Sequence, residues 1–203
     1  LDDCGNVNSA LGSGSGTAFG ASFDMGAGFT AAVGYTGAGS SNAGLFTTDS
    51  LDAYGAQLTY TGDSFGVSLT YATLETAEQF DYPSIRKGFD EAYSAINAYW
   101  IPSDSSLPSV SVGYEEMDHE KWWKDESSTI FVGLQWDEFG PGTLGAAFGT
   151  TGHILDSATE YFMYEAFYSY PLNDGVTITP LVYIKEAAAA DETGVIVKTS
   201  FSF

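Results

Sequence analysis

The chain has 203 residues, 27 of them Asp or Glu against only six Lys or Arg, for a formal net charge of −21. So few basic groups exclude a nucleic-acid partner, because phosphate binding rests on Lys and Arg. No apolar run reaches the eighteen or more residues of a transmembrane helix, which leaves transmembrane strands open, since their hydrophobic signal is weaker per segment.

The chain opens on Leu1-Asp2-Asp3-Cys4, without a Met, a basic segment or an apolar stretch, so it reads as a mature fragment. Cys4 is the sole cysteine, and its partner, if it has one, is expected outside these residues. Gly12-Ser13-Gly14-Ser15-Gly16 has the spacing of a nucleophile elbow but reads as low-complexity linker, without the strand-to-helix turn that a nucleophile needs.

From there the pattern alternates with a period of two, the signature of β-strands. Eleven segments carry it: 17–25, 28–36, 53–61, 64–73, 91–101, 108–117, 128–138, 142–150, 160–170, 175–184 and 193–203. The cleanest stripes are Tyr54/Ala56/Leu58/Tyr60, Phe65/Val67/Leu69/Tyr71 and Ile130/Val132/Leu134/Trp136, with Phe131 an apolar exception among the intervening small and polar residues. The segment 91–101 is ambiguous in phase, and Ala92 to Tyr99 also fits a helical turn. The last segment ends on Phe203 and has about the length a tilted strand needs to cross a bilayer.

The connections alternate in length. Residues 26–27, 62–63, 102–107, 139–141 and 171–174 are short and rich in turn chemistry, whereas 37–52, 74–90, 118–127, 151–159 and 185–192 are long. Outer-membrane barrels have short periplasmic turns and long extracellular loops. A soluble sandwich, with the apolar stripe as its core, has no reason to sort its loops in this way. The expected fold is therefore an all-β antiparallel transmembrane barrel, with residues 1–203 as one domain. Eleven strands are odd, and an open sheet leaves edges unsatisfied in lipid. Further strands before Leu1 would bring the barrel to roughly 16, a size that encloses water.

Charge sets the phase of each strand, because Lys or Arg facing lipid near mid-membrane costs roughly 2–4 kcal/mol. Lys198 and Glu165 are therefore expected to face a lumen, together with Gln57, Thr59, Ser68 and Thr70, while Val195, Val197, Phe201 and Tyr164 face lipid. Aromatics near strand ends (Tyr35, Tyr54, Tyr71, Trp136, Tyr170 and Phe203) suit interfacial girdles. A lumen lined in this way is a wetted channel, whose selectivity comes from diameter, hydrogen-bonding groups and charge. Segments 37–52 and 74–90 are the candidates to fold inward, and the second carries Arg86 and Lys87 beside Glu75, Glu78 and Asp81 as a possible charged constriction. The competing readings are a solvated external loop for 74–90 and, for the whole chain, a secreted β-rich module binding glycans or a protein through Tyr and Trp.

Neither catalysis nor a cofactor is expected. His119 and His153 fall in long connections, and the carboxylates of Asp118-His119-Glu120-Lys121-Trp122-Trp123-Lys124-Asp125-Glu126 match no calcium-loop spacing.

Several stretches carry a family resemblance. Ile178-Thr179-Pro180, Asp191-Glu192, the run Gly194 to Phe203, Ala98-Tyr99-Trp100-Ile101-Pro102-Ser103-Asp104 and Pro108-Ser109-Val110-Ser111-Val112-Gly113-Tyr114 resemble the corresponding parts of cyanobacterial porins, which are related to carbohydrate-selective porins. The last thirty residues carry the likeness most specifically; the first hundred share it mainly in texture. The resemblance implies a homotrimeric outer-membrane barrel for passive uptake of small solutes, carbohydrates and ions. It also implies recognition of Phe203 by the barrel-insertion machinery, and an N-terminal S-layer-homology domain and coiled coil that match no part of this sequence.

Overall fold

Period-two alternation leaves each strand with one apolar and one polar side, and a sheet is the structure that sorts them. The computed structural model describes residues 16–47, 50–75, 91–119, 126–152, 154–155 and 158–202. These form β1 (Gly16–Gly26), β2 (Phe29–Ala38), α1 (Ser40–Ala43), β3 (Leu51–Thr61), β4 (Phe65–Glu75), β5 (Glu91–Trp100), β6 (Ser109–His119), β7 (Ser127–Phe139), β8 (Gly142–Thr150), β9 (Ile154–Leu155), β10 (Phe162–Asn173), β11 (Val176–Lys185) and β12 (Glu192–Phe201). Every expected strand is present. The segment of ambiguous phase is the strand β5, and the one-turn α1 and two-residue β9 are additions that periodicity did not foresee.

All strands belong to one antiparallel sheet in sequence order, with β9 set aside against the start of β7. Among the described residues β1 and β12 are the two edges, and no ladder joins them, so the sheet is open, as eleven strands of a larger barrel would leave it. The short connections are tight for chemical reasons. At the β1–β2 turn Gly26, Ala27 and Gly28 all have positive φ (79°, 53° and 85°), and the Gly26 amide donates to Asp24 Oδ1 at 2.8 Å. At β10–β11 the Gly175 amide donates to Asn173 Oδ1 at 2.9 Å.

Pro180 interrupts one ladder. Without an N–H it cannot donate, and the β10–β11 register passes from Phe167↔Leu181 to Tyr170↔Ile178 without pairing the residues between. The β11–β12 ladder is continuous, with Pro180 opposite Val197. On the β10 side a hydroxyl bridge spans the gap, with Thr179 Oγ1 donating to Ser169 Oγ at 3.1 Å.

The most enclosed apolar cluster is small: Ala72, Tyr93 and Ala95, with Leu74 and Met117 packed against it. A single layer of this size has no central core to bury its apolar side, and that side stays bare. Val195 is 70% exposed, Phe201 63% and Val197 62%.

Candidate channel-lining face

Because directly paired residues project to the same side of a sheet, the register assigns every strand residue to a face. One row reads Thr30, Thr59, Ser68, Asn97, Gly113, Phe131, Gly149 and Met163 across eight strands. The next reads Thr61, Gly66, Tyr99, Ser111, Gly133, Ala147, Glu165, Tyr183 and Gly194. This is the polar face. The opposite face carries Phe19, Phe23, Val33, Leu58, Leu69, Ile96, Val112, Phe148, Val182 and Val197, all exposed.

The six residues expected to line a lumen fall together on the polar face. Gln57 stands opposite Thr70 and donates from Nε2 to its Oγ1 at 3.0 Å. Thr59 stands opposite Ser68, which in turn faces Asn97. Glu165 pairs with Tyr183, and Lys198 pairs with Thr179. Enclosure is greatest at the middle strands, where Ser68 is 2% exposed, Asn97 4% and Glu115 0%.

Charge divides between the faces in a way that propensity alone does not require. Asp24, Glu91, Glu115, Asp137, Glu165, Lys185, Glu192 and Lys198 occupy the polar face along its length. On the apolar face charge is confined to strand ends: Asp52, Glu75, Glu116 and Asp118 beside long connections, and Glu138 beside the turn at 140–141. No described residue in the middle of that face is charged.

The two long segments considered for inward folding separate here. The described part of 37–52 goes the other way, because Phe46 packs on the apolar face, with ring centroids 4.5 Å from Tyr35, 6.2 Å from Phe19 and 6.5 Å from Tyr54. Phe46 holds a positive φ of 59°, and its amide donates to the Tyr35 hydroxyl at 3.2 Å. That hydroxyl and Ser50 Oγ both donate to Asp52 Oδ1, at 2.8 and 2.7 Å. Glu75 is the last residue of β4, opposite Asp52, so it is a strand residue and stands on the apolar face. Glu78, Asp81, Arg86 and Lys87 lie outside the described residues, as do Cys4, His153 and Phe203.

Sequence reasoning passed over Glu115, although Ser109, Ser111 and Gly113 precede it at alternate positions and mark its face. Phe131 was the one exception it noted; it passed over other aromatics that break the polar stripe, Tyr93, Tyr99, Phe167 and Tyr183. Several lie across glycines of the next strand. A methyl group on Gly66 would run into the Tyr99 ring, on Gly145 into Phe167 and on Gly194 into Tyr183.

Comparison with known proteins agrees with this geometry. The profile of the Gram-negative porin family matches residues 3–184. Among solved structures, the fold is similar to that of the anion-selective porin from Comamonas acidovorans, with a TM-score of 0.72 at 16% identity. The similarity covers 99% of this chain and 66% of the Comamonas chain, so these residues span somewhat under two thirds of that protein. No curated protein matches the sequence.

Proposed function

This chain belongs to the Gram-negative porin family, and from that premise we propose that it forms the larger part of a water-filled outer-membrane channel for passive diffusion of small hydrophilic solutes and ions. The observation that carries the reading is the division of charge: the charged residues of the strand interiors, Glu115, Glu165 and Lys198, share one face, and on the other face charge is confined to strand ends. Lipid on one side and water on the other accounts for both. A secreted binding module would have to cover Val195, Val197 and Phe201.

In this reading Gln57, Thr59, Ser68, Thr70, Glu165 and Lys198 line the lumen, and further strands pair with the free edges of β1 and β12 to close a barrel. Segment 74–90, with Arg86, Lys87, Glu78 and Asp81, narrows the passage; the enclosure of Ser68, Asn97 and Glu115 on adjoining strands supports it. Homotrimer assembly, recognition of Phe203 by the insertion machinery and kinship with cyanobacterial carbohydrate-selective porins rest on the C-terminal resemblance. Ion preference follows from charge. The described lining carries Lys185 and Lys198 against Asp24, Glu91, Glu115, Asp137, Glu165 and Glu192, which favours cations, unlike the anion selectivity by which the Comamonas porin is named.

Planar-bilayer recording of the purified natural protein tests this. Discrete ohmic steps are expected, with a reversal potential in a KCl gradient on the cation side, and their absence would sink the channel reading.

A further inference from the structure

The other acidic groups of the described polar face, Asp24, Glu91, Glu115, Asp137 and Glu192, are each held by a hydrogen bond or another interaction, but Glu165 is not. It is exposed, and no hydrogen bond or ion pair holds it among the described residues. Its cross-strand partners are Tyr183 and Ala147, and Met163 and Phe167 flank it two positions away on β10. Lys185 stands one row further on, opposite Met163 and Glu192, and forms no described ion pair with Glu165.

Each of the two aromatic rings lies over a glycine of a neighbouring strand. Gly145 has no side chain, so Phe167 lies across it, and Gly194 lets Tyr183 lie across the next strand while its hydroxyl donates to Glu192 Oε1 at 2.9 Å. Both aromatic residues stand next to the exposed Glu165 on the polar face, Phe167 two positions along β10 and Tyr183 directly across on β11. Resting on that channel reading, we propose that Glu165, Phe167 and Tyr183 form a subsite for organic cations, meaning ammonium or guanidinium groups that carry carbon substituents.

The chemistry distinguishes this class from its neighbours. A small, strongly hydrated ion gains nothing from apolar rings, and an exposed carboxylate such as Asp137 serves it as well. A sugar stacks on rings but needs several donors and acceptors for its hydroxyls, and the direct neighbours of Glu165 are Ala147, Met163, Phe167 and Tyr183, whose hydroxyl already donates to Glu192. A weakly hydrated cation uses both parts at once: charge against the carboxylate, and its apolar shell against the electron-rich ring faces.

Tetraethylammonium chloride added to the full-length natural protein in a bilayer tests this. Millimolar additions should interrupt the unitary potassium current. Glu165→Gln should raise the half-blocking concentration by about tenfold and Phe167→Ala by about threefold, while Tyr164→Phe, on the opposite face of the same strand, should leave it unchanged. Equal block in all three variants, or stronger block by maltotriose at the same concentration, would overturn the subsite while leaving the channel intact. Should no conductance steps appear, the channel reading fails separately. Calorimetric titration of tetraethylammonium into the detergent-solubilised protein then decides the subsite, with binding heat that Glu165→Gln does not diminish counting against it.

Discussion

The Tyr35 hydroxyl donates to Asp52 Oδ1 at 2.8 Å, on the side of the sheet that carries charge only at strand ends. Asp52 is 1% exposed there, which is tolerable because Ser50 supplies a second donor, while Phe46 packs against the Tyr35 ring. Tyr35→Phe removes one donor from a buried carboxylate and the acceptor for the Phe46 amide, a loss that the packed ring does not replace. The temperature of heat modification on gels should fall by about 2–4 °C. Asp52→Asn in the Tyr35→Phe background should then cost less than Asp52→Asn alone, because the two groups share one network.

The glycines beneath the rings make a second test. At Gly145 a methyl would overlap the Phe167 ring, so Gly145→Ala must displace it and should destabilise the sheet by about 1–3 kcal/mol. Removing the ring in the same protein, Gly145→Ala with Phe167→Ala, should recover most of the loss. Guanidinium midpoints of the detergent-refolded proteins decide it, and additive losses would mean that the ring does not lie where the structure puts it.

These rings also show where the sequence was legible and where it was not. The strands could be read because each repeats a two-residue unit that only a pleated backbone sorts, and Lys198 alone fixed the phase of β12. Phe167 and Tyr183 interrupt the polar stripe, so alternation treats them as noise; their meaning depends on Gly145 and Gly194, which lie in other strands. The outward turn of segment 37–52 was hidden for the same reason. Leu45-Phe46, an apolar pair in a polar connection, was the available signal, but which face it packs on is decided by Tyr35 and Tyr54 across the fold.

The assignment of faces can be tested with neighbours of similar exposure. Val197 and Ile196 are 62% and 53% exposed, so accessibility alone predicts similar effects of a charge at either position. Val197 pairs with Pro180 on the apolar face and Ile196 with Leu181 on the polar one. Val197→Lys should destabilise the inserted protein by about 2–4 kcal/mol, whereas Ile196→Lys should cost less than about 1 kcal/mol. Reversible folding into liposomes measures both, and equal penalties would remove the distinction between lipid and lumen.

Lys198 makes the selectivity of the channel testable at one side chain. It sits on the polar face opposite Thr179, whose hydroxyl donates to Ser169, so no carboxylate faces it across either described neighbour in that row. With Lys185 it is one of the two basic residues among those described, and both lie at the β11–β12 edge. Lys198→Glu changes the local charge by two units where the wall is least acidic. The potassium-to-chloride permeability ratio should rise by about twofold at 0.1 M salt, where the screening length is about 10 Å. At 1 M, with a screening length of about 3 Å, the difference should largely disappear. Reversal potentials in two-sided gradients at both salt levels give the answer. A ratio that does not move at low salt would place Lys198 away from the ion path, and one that moves equally at both would point to altered pore shape instead of charge.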